Sequence, residues 1–140
     1  YYVKIYFLYN IKITIIIYMN YQKKIIPIII YLTIIFGACY AASKEVGSYL
    51  IFIDFPSAII VVIIALAYSF NKNNKIKSFG AGAVYGGWLG FLIGLISMSA
   101  DFALNKLNTK DFLSANSVLW LVVFYGYCIK VLMKILDNQN

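Results

Sequence analysis

The chain has 140 residues, of which 63% are hydrophobic and only 12% charged, with a mean hydropathy of +0.83. A soluble domain carries about a quarter charged residues, and a chain this short has no aqueous core large enough to hide so much apolar surface, so the composition excludes a soluble globular protein and makes the lipid bilayer its solvent. The net charge of +7 comes from lysine, with no arginine or histidine present, and the lysines sit at the ends of apolar runs instead of forming one stripe, a membrane pattern and not a nucleic-acid one.

In chain order, residues 1–18 begin with Tyr1 and are apolar but interrupted by Lys4, Asn10 and Lys12. Met19 opens "MNYQKK", which looks like a bacterial N-terminus, so 1–18 reads as an N-terminal extension or a membrane-surface segment. Residues 19–140 form the membrane domain.

Residues 25–42 are the first predicted span. They follow Lys23 and Lys24 and stop before Lys44 and Glu45. Eighteen residues at helical rise reach about 27 Å, enough to cross a hydrocarbon core. A signal peptide is the competing reading, with Ala41 before a cleavage position, and "FGAC" ending at Cys39 loosely resembles a lipoprotein site. The membrane-embedded remainder of the chain favours a retained helix.

The second predicted span is 49–70. Asp54, Pro56 and Ser57 stand where its helix starts: proline fits a first turn, and Asp54 or Ser57 can accept bonds from free N–H groups there. The polar stretch 71–78 reads as a loop, 79–100 as the third span, and 112–129 as the fourth, with Lys130 and Lys134 snorkelling beyond it. The fold class is therefore all-α integral membrane, with four transmembrane helices. Lysine is concentrated before the first span, in the 71–78 loop and after the fourth span, so both termini are predicted cytoplasmic.

Candidate chemistry is sparse. Without histidine there is no imidazole base, triad or histidine metal site. Asp54, Asp101 and Asp111 all lie near span ends, so no carboxylate pair forms mid-membrane. No enzyme activity, metal or cofactor is expected. Cys39 and Cys128 are isolated and read as inert buried thiols.

The clearest local pattern is in the third span, where Gly82, Gly86, Gly90 and Gly94 recur every fourth residue beside Gly87. Such a strip lets another backbone approach closely. It reads first as helix packing, and second as tight packing around a pore or partner helix. At the predicted outer end, Ser97, Ser99 and Asp101 close the third span, and Ser114, Asn116 and Ser117 open the fourth. They read as end caps or as a polar collar. Tyr40, Tyr49 and Tyr68 suit an aromatic belt. Trp88, Trp120 and Tyr125 lie deeper, and a buried Tyr125 needs a hydrogen-bond partner.

Three segments carry a family resemblance. "FIDFPSAIIVV" (52–62) resembles the start of the second membrane helix of MotA-type flagellar stator proteins, where an Asp-x-Pro-Ser motif opens a similar apolar run. "GGWLGFLIGLISM" (86–98) resembles the third-helix pattern of the wider MotA/TolQ/ExbB proton-channel group, and "VVFYGYCIKVL" (122–132) its fourth-helix pattern around Tyr125–Gly126. The order and the number of helices agree over roughly 25–136. The resemblance implies an inner-membrane subunit in a homo-oligomeric ring of five around a MotB-type single-span partner that supplies the proton-carrying aspartate. Three departures stand out. The family's large cytoplasmic segment is replaced by 71–78 alone, and Phe91 and Val123 occupy two positions where the group has threonine.

The resulting expectation is a short MotA-like inner-membrane subunit of an ion-driven channel or motor complex, intact or degenerate. Gly82, Gly86, Gly90, Gly94, Phe91, Val123, Tyr125 and Gly126 are its packing or pore-lining residues. The alternatives are a small four-helix, holin-like pore or transporter and a non-conducting structural subunit. A transporter calls for a polar site near the midplane, and none is evident.

Overall fold

The computed structural model describes residue 22, residues 25–44, residue 47, residues 49–104 (side chains at 49 and 50 excepted) and residues 108–137. The extension at 1–18, Lys23, Lys24, Glu45 and Lys106 lie outside the described residues. Those described are helical: α1 (Ile25–Lys44), a short 3-10 turn (Tyr49–Phe52), α2 (Phe55–Ser69), α3 (Lys75–Ala103) and α4 (Thr109–Asp137). Helices α1, α3 and α4 are long and apolar enough to cross a membrane.

Helix α1 carries Pro27 and a few small polar residues. Its small polar residues are satisfied within the helix: Thr33 Oγ1 donates to the Ile29 carbonyl at 2.8 Å and Ser43 Oγ to that of Tyr40 at 2.8 Å. The helix is closed by Gly47, whose φ of 79° places it in the left-handed region while its N–H donates to the Ser43 carbonyl at 2.8 Å.

The predicted span at 49–70 is not one helix. The chain makes a 3-10 turn, extends at Asp54 (φ −129°, ψ 98°) and only then enters α2, with Pro56 in its first turn. Pro56 has no N–H to bond the Phe52 carbonyl four residues earlier, and its ring crowds that carbonyl, so the helix cannot continue back through it. The 15 residues of α2 reach about 22 Å at helical rise, short of the roughly 30 Å hydrocarbon core.

The third and fourth helices are longer than their apolar segments. Half of the predicted loop at 71–78 is helix, because the Asn74 side chain accepts the Lys77 N–H at 3.0 Å and starts α3 there. Asn108 does the same for α4, accepting the Asp111 N–H at 2.9 Å. Lys130 and Lys134 consequently lie within α4. Hydropathy marks where a helix meets lipid; capping marks where it ends.

Helix α3 runs between α2 and α4, which touch one another little. The core is small: Val61 and Ala65 of α2, Ala83 of α3 and Val122 of α4, with Phe79, Tyr125 and Ile129 packed against it. Large apolar side chains such as Ile34, Phe36, Ile63, Ile93 and Ile96 are instead exposed. An outer surface this apolar is the reverse of a soluble protein's and fits lipid contact; the protein is a membrane protein.

Candidate functional site

The glycine strip of α3 does not present a single face. Successive positions four apart advance about 40° around a helix of 3.6 residues per turn, so the strip winds from one neighbour to the other. A Cβ at Gly82 would lie 2.9 Å from Ala65 Cα, and one at Gly86 would lie 3.2 Å from Val61 Cα; both glycines therefore seat α2. A Cβ at Gly87 would lie 3.1 Å from the Val122 carbonyl oxygen and 3.2 Å from Val123 Cα, and one at Gly90 would lie 2.8 Å from a Val122 methyl. Gly94 faces a Leu119 methyl. These three seat α4.

From the opposite side Gly126 completes the α3–α4 contact. A Cβ there would lie 2.6 Å from the Ala83 carbonyl oxygen and 3.3 Å from Val84 Cα. Backbone meets backbone at this point, the geometry that gains dispersion contacts where water provides no drive. The structure thus uses the strip within the chain, to hold three of its helices together, and leaves Gly82, Gly86, Gly87 and Gly126 buried.

The two positions where the sequence resemblance leads one to expect hydroxyls, Val123 and Phe91, are both packed. Val123 is buried in the α3–α4 contact beneath Gly87. Phe91 lies between the two tryptophans of the chain, its ring centroid 5.7 Å from that of Trp88 and 5.0 Å from that of Trp120. Both indoles retain substantial exposure (40% and 55%), so this cluster faces outward more than the sequence suggests.

Tyr125 gains the partner that its depth demands, and gains two. Its hydroxyl donates to the Phe52 carbonyl at 2.7 Å and accepts the Asp54 N–H at 2.8 Å. These are the backbone groups freed where the chain passes from the 3-10 turn into α2. Asp54 stands at the N-cap, yet its side chain makes no cap bond to the backbone; its carboxylate accepts from the buried Ser57 hydroxyl. The expectation that Asp54 or Ser57 accepts free N–H groups is replaced by a side-chain pair that steadies the break, with Tyr125 satisfying the backbone.

A second link joins α1 to α4: the Tyr31 hydroxyl donates to the Cys128 carbonyl at 2.8 Å. Beyond it α1 stands off, leaving an apolar gap of about 530 Å³ bounded by Phe36 and Cys39 on one side and Phe52, Ile53 and Phe124 on the other. Both cysteines are free and half-buried.

The collar residues are not brought together by hydrogen bonds among the described residues. Ser117 Oγ donates to the Leu113 carbonyl of its own helix at 3.3 Å; Ser97, Ser99, Ser114 and Ser117 are exposed, while Asp101 and Asn116 are half-buried. The aromatic pairs with lysine lie near helix ends: Lys44 over Tyr40 at 5.0 Å and Lys72 over Tyr68 at 5.5 Å. Among the described residues no group of histidine, cysteine or carboxylate side chains is placed to hold a metal.

The Tyr125–Asp54 bond spans 71 residues and has no local sequence signal beyond the need of a buried tyrosine for a partner. Compared with known proteins, the chain matches no family model, no curated protein and no solved structure.

Proposed function

We propose that the chain is a MotA-like multi-pass subunit of a bacterial inner membrane, part of an ion-driven channel or motor complex whose single-span partner supplies the ionisable group. One observation carries this reading. The three segments that resemble family motifs are distant in sequence and mutual neighbours in space: Tyr125 bonds the chain at Phe52 and Asp54, Gly86 seats on Val61, and Gly87 seats on Val123. In this reading the 3-10 turn and α2 together make the second crossing, and copies form a ring through the exposed apolar faces.

Charge supports an orientation. Helix α2 ends, α3 begins and α4 ends on one side, where Asn74 Nδ2 donates to Asp137 at 2.8 Å. That side carries Lys72, Lys75, Lys77, Lys130 and Lys134 against Asp137; the other carries Lys44 and Lys110 against Asp54, Asp101 and Asp111. The basic side is cytoplasmic by the positive-inside rule.

A non-conducting structural subunit is the second reading. It is favoured by Val123 and Phe91, which fill with packed apolar side chains the two positions where the family has hydroxyls.

The test is extraction of the full chain from native membranes in mild detergent, followed by mass determination of the intact complex. A ring of this chain holding a single-span protein with an aspartate in its membrane segment is the expected result. A monomer, a dimer or a ring lacking such a partner overturns the stator-like reading in favour of the structural subunit or a small pore.

A further inference from the structure

On the basic side, α3 and α4 part to leave a cleft of about 430 Å³, within the roughly 300–1,000 Å³ of ordinary small-molecule sites. Lys77 of α3 and Lys130 and Lys134 of α4 line it, over a floor of Gly80, Ala81 and Met133. Beneath it the two helices meet at the buried Gly80, where a Cβ would lie 3.0 Å from the Met133 Cβ and 3.4 Å from the Lys130 Cα. We infer that this cleft binds the phosphate headgroup of an acidic phospholipid.

Three features point that way. Lys130 and Lys134 are four residues apart on one helix, so their ammonium groups share a face and repel when nothing lies between them. Among the described residues no carboxylate pairs with either one or with Lys77. Asp137 also lines the cleft, but its carboxylate accepts the Asn74 amide at 2.8 Å, and that same Asn74 caps α3. The acid joins the two helix ends and keeps its charge, and three lysines against that one carboxylate leave the cleft with an excess of positive charge.

The third feature is location. Lys77 precedes the apolar run of α3, and Lys130 and Lys134 follow that of α4, so the three lysines stand at one end of an apolar surface that Ala81 opens. A ligand with a phosphate above and an acyl chain below matches that polarity, whereas a free phosphate uses only the upper half. Basic pockets between membrane helices bind acidic headgroups, and a lysine beside an anionic membrane surface contributes about 1 kcal/mol. The inference requires only that the chain sit in a bilayer and is independent of the stator-like reading.

The test is native mass spectrometry of the full chain titrated with phosphatidylglycerol or phosphatidylcholine. The variants are Lys130→Gln/Lys134→Gln in the cleft and Lys72→Gln/Lys75→Gln on the same side but outside it. All four lysines are exposed, and circular dichroism checks that helix content is kept. If the cleft double variant unfolds, Lys77→Gln replaces it. The wild-type chain should retain one phosphatidylglycerol in preference to phosphatidylcholine. The cleft variant should bind it about thirtyfold more weakly, or about fivefold for Lys77→Gln alone, while the control pair changes it less than threefold. Equal losses in cleft and control variants, or equal retention of the two lipids, overturn the site. Displacement of phosphatidylglycerol by millimolar inorganic phosphate at equal affinity overturns the lipid as its occupant.

Discussion

The Tyr125 hydroxyl accepts the backbone N–H of Asp54 at 2.8 Å while donating to the Phe52 carbonyl at 2.7 Å. One side chain on α4 therefore satisfies both groups exposed by the break before α2. Replacing Tyr125 by Phe keeps the ring and orphans the pair. Unpaired backbone groups away from water cost about 1–3 kcal/mol, whereas the average side-chain hydrogen bond in a membrane protein is worth only about 0.6. Phe52 and Asp54 are half-buried, so the cost should fall between these two figures. Tyr125→Phe should lower the thermal unfolding midpoint in detergent clearly, and more than Ser57→Ala; a midpoint unchanged within error would show that the break needs no anchor.

The glycines should divide by what faces them, not by distance alone. A Cβ at Gly126 meets the Ala83 backbone at 2.6 Å, which cannot move without displacing α3, so Gly126→Ala should cost about 1–3 kcal/mol. That outweighs the gain of about 1 kcal/mol from replacing a helical glycine by alanine. Gly94 faces only the end of the Leu119 side chain, which can turn away, and Gly37 faces open space. Alanine should be tolerated at Gly94 and should be neutral or stabilising at Gly37, as read by unfolding of each variant under the same detergent.

Phe91 touches both tryptophans of the chain, so the near-ultraviolet circular dichroism of the tryptophan band reports on it directly. Phe91→Thr should flatten that band and cost about 1–3 kcal/mol by removing two ring contacts of about 0.5–1.5 each. A spectrum unchanged by the substitution would mean that the rings do not pack as described.

Orientation is open to labelling. In a chain with Cys39 and Cys128 replaced by Ser, single cysteines at Asn73 and Asn108 lie at opposite ends of α3. A membrane-impermeant thiol reagent applied to intact cells should modify position 108 and reach position 73 only after permeabilisation. The opposite pattern would reverse the assignment of the basic side to the cytoplasm.

Much of the helical content was legible because apolar run length and lysine punctuation report directly on lipid contact. Pro56 likewise marked a helix start. Helix ends were harder: Asn74 and Asn108 sit in polar stretches that hydropathy scores as loop, yet their side chains begin helices there. The extended link at Asp54 split a continuous apolar segment, because hydropathy does not sense backbone geometry. The glycine strip was visible as a pattern, but its division between two neighbours depends on where α2 and α4 sit, which four-residue spacing cannot encode. Tyr125 announced a need for a partner and not its address.

The short reach of α2 has a further meaning. Helices α3 and α4, at 29 residues each, extend about 44 Å, while α2 falls roughly 8 Å short of the hydrocarbon slab. In the proposed topology, where α2 belongs to the second crossing, lipid beside it must thin, or the 3-10 turn must be drawn inward, at some fraction of a kcal/mol per Å of mismatch. Summed over the shortfall, that is a few kcal/mol, comparable with the roughly 5–15 kcal/mol by which folded proteins outlast their unfolded chains. In that topology bilayer thickness is a thermodynamic variable of the fold, as pH is for a protein with a buried titrating group, and acyl-chain length in the host membrane sets how firmly α2 stays seated against Gly82 and Gly86.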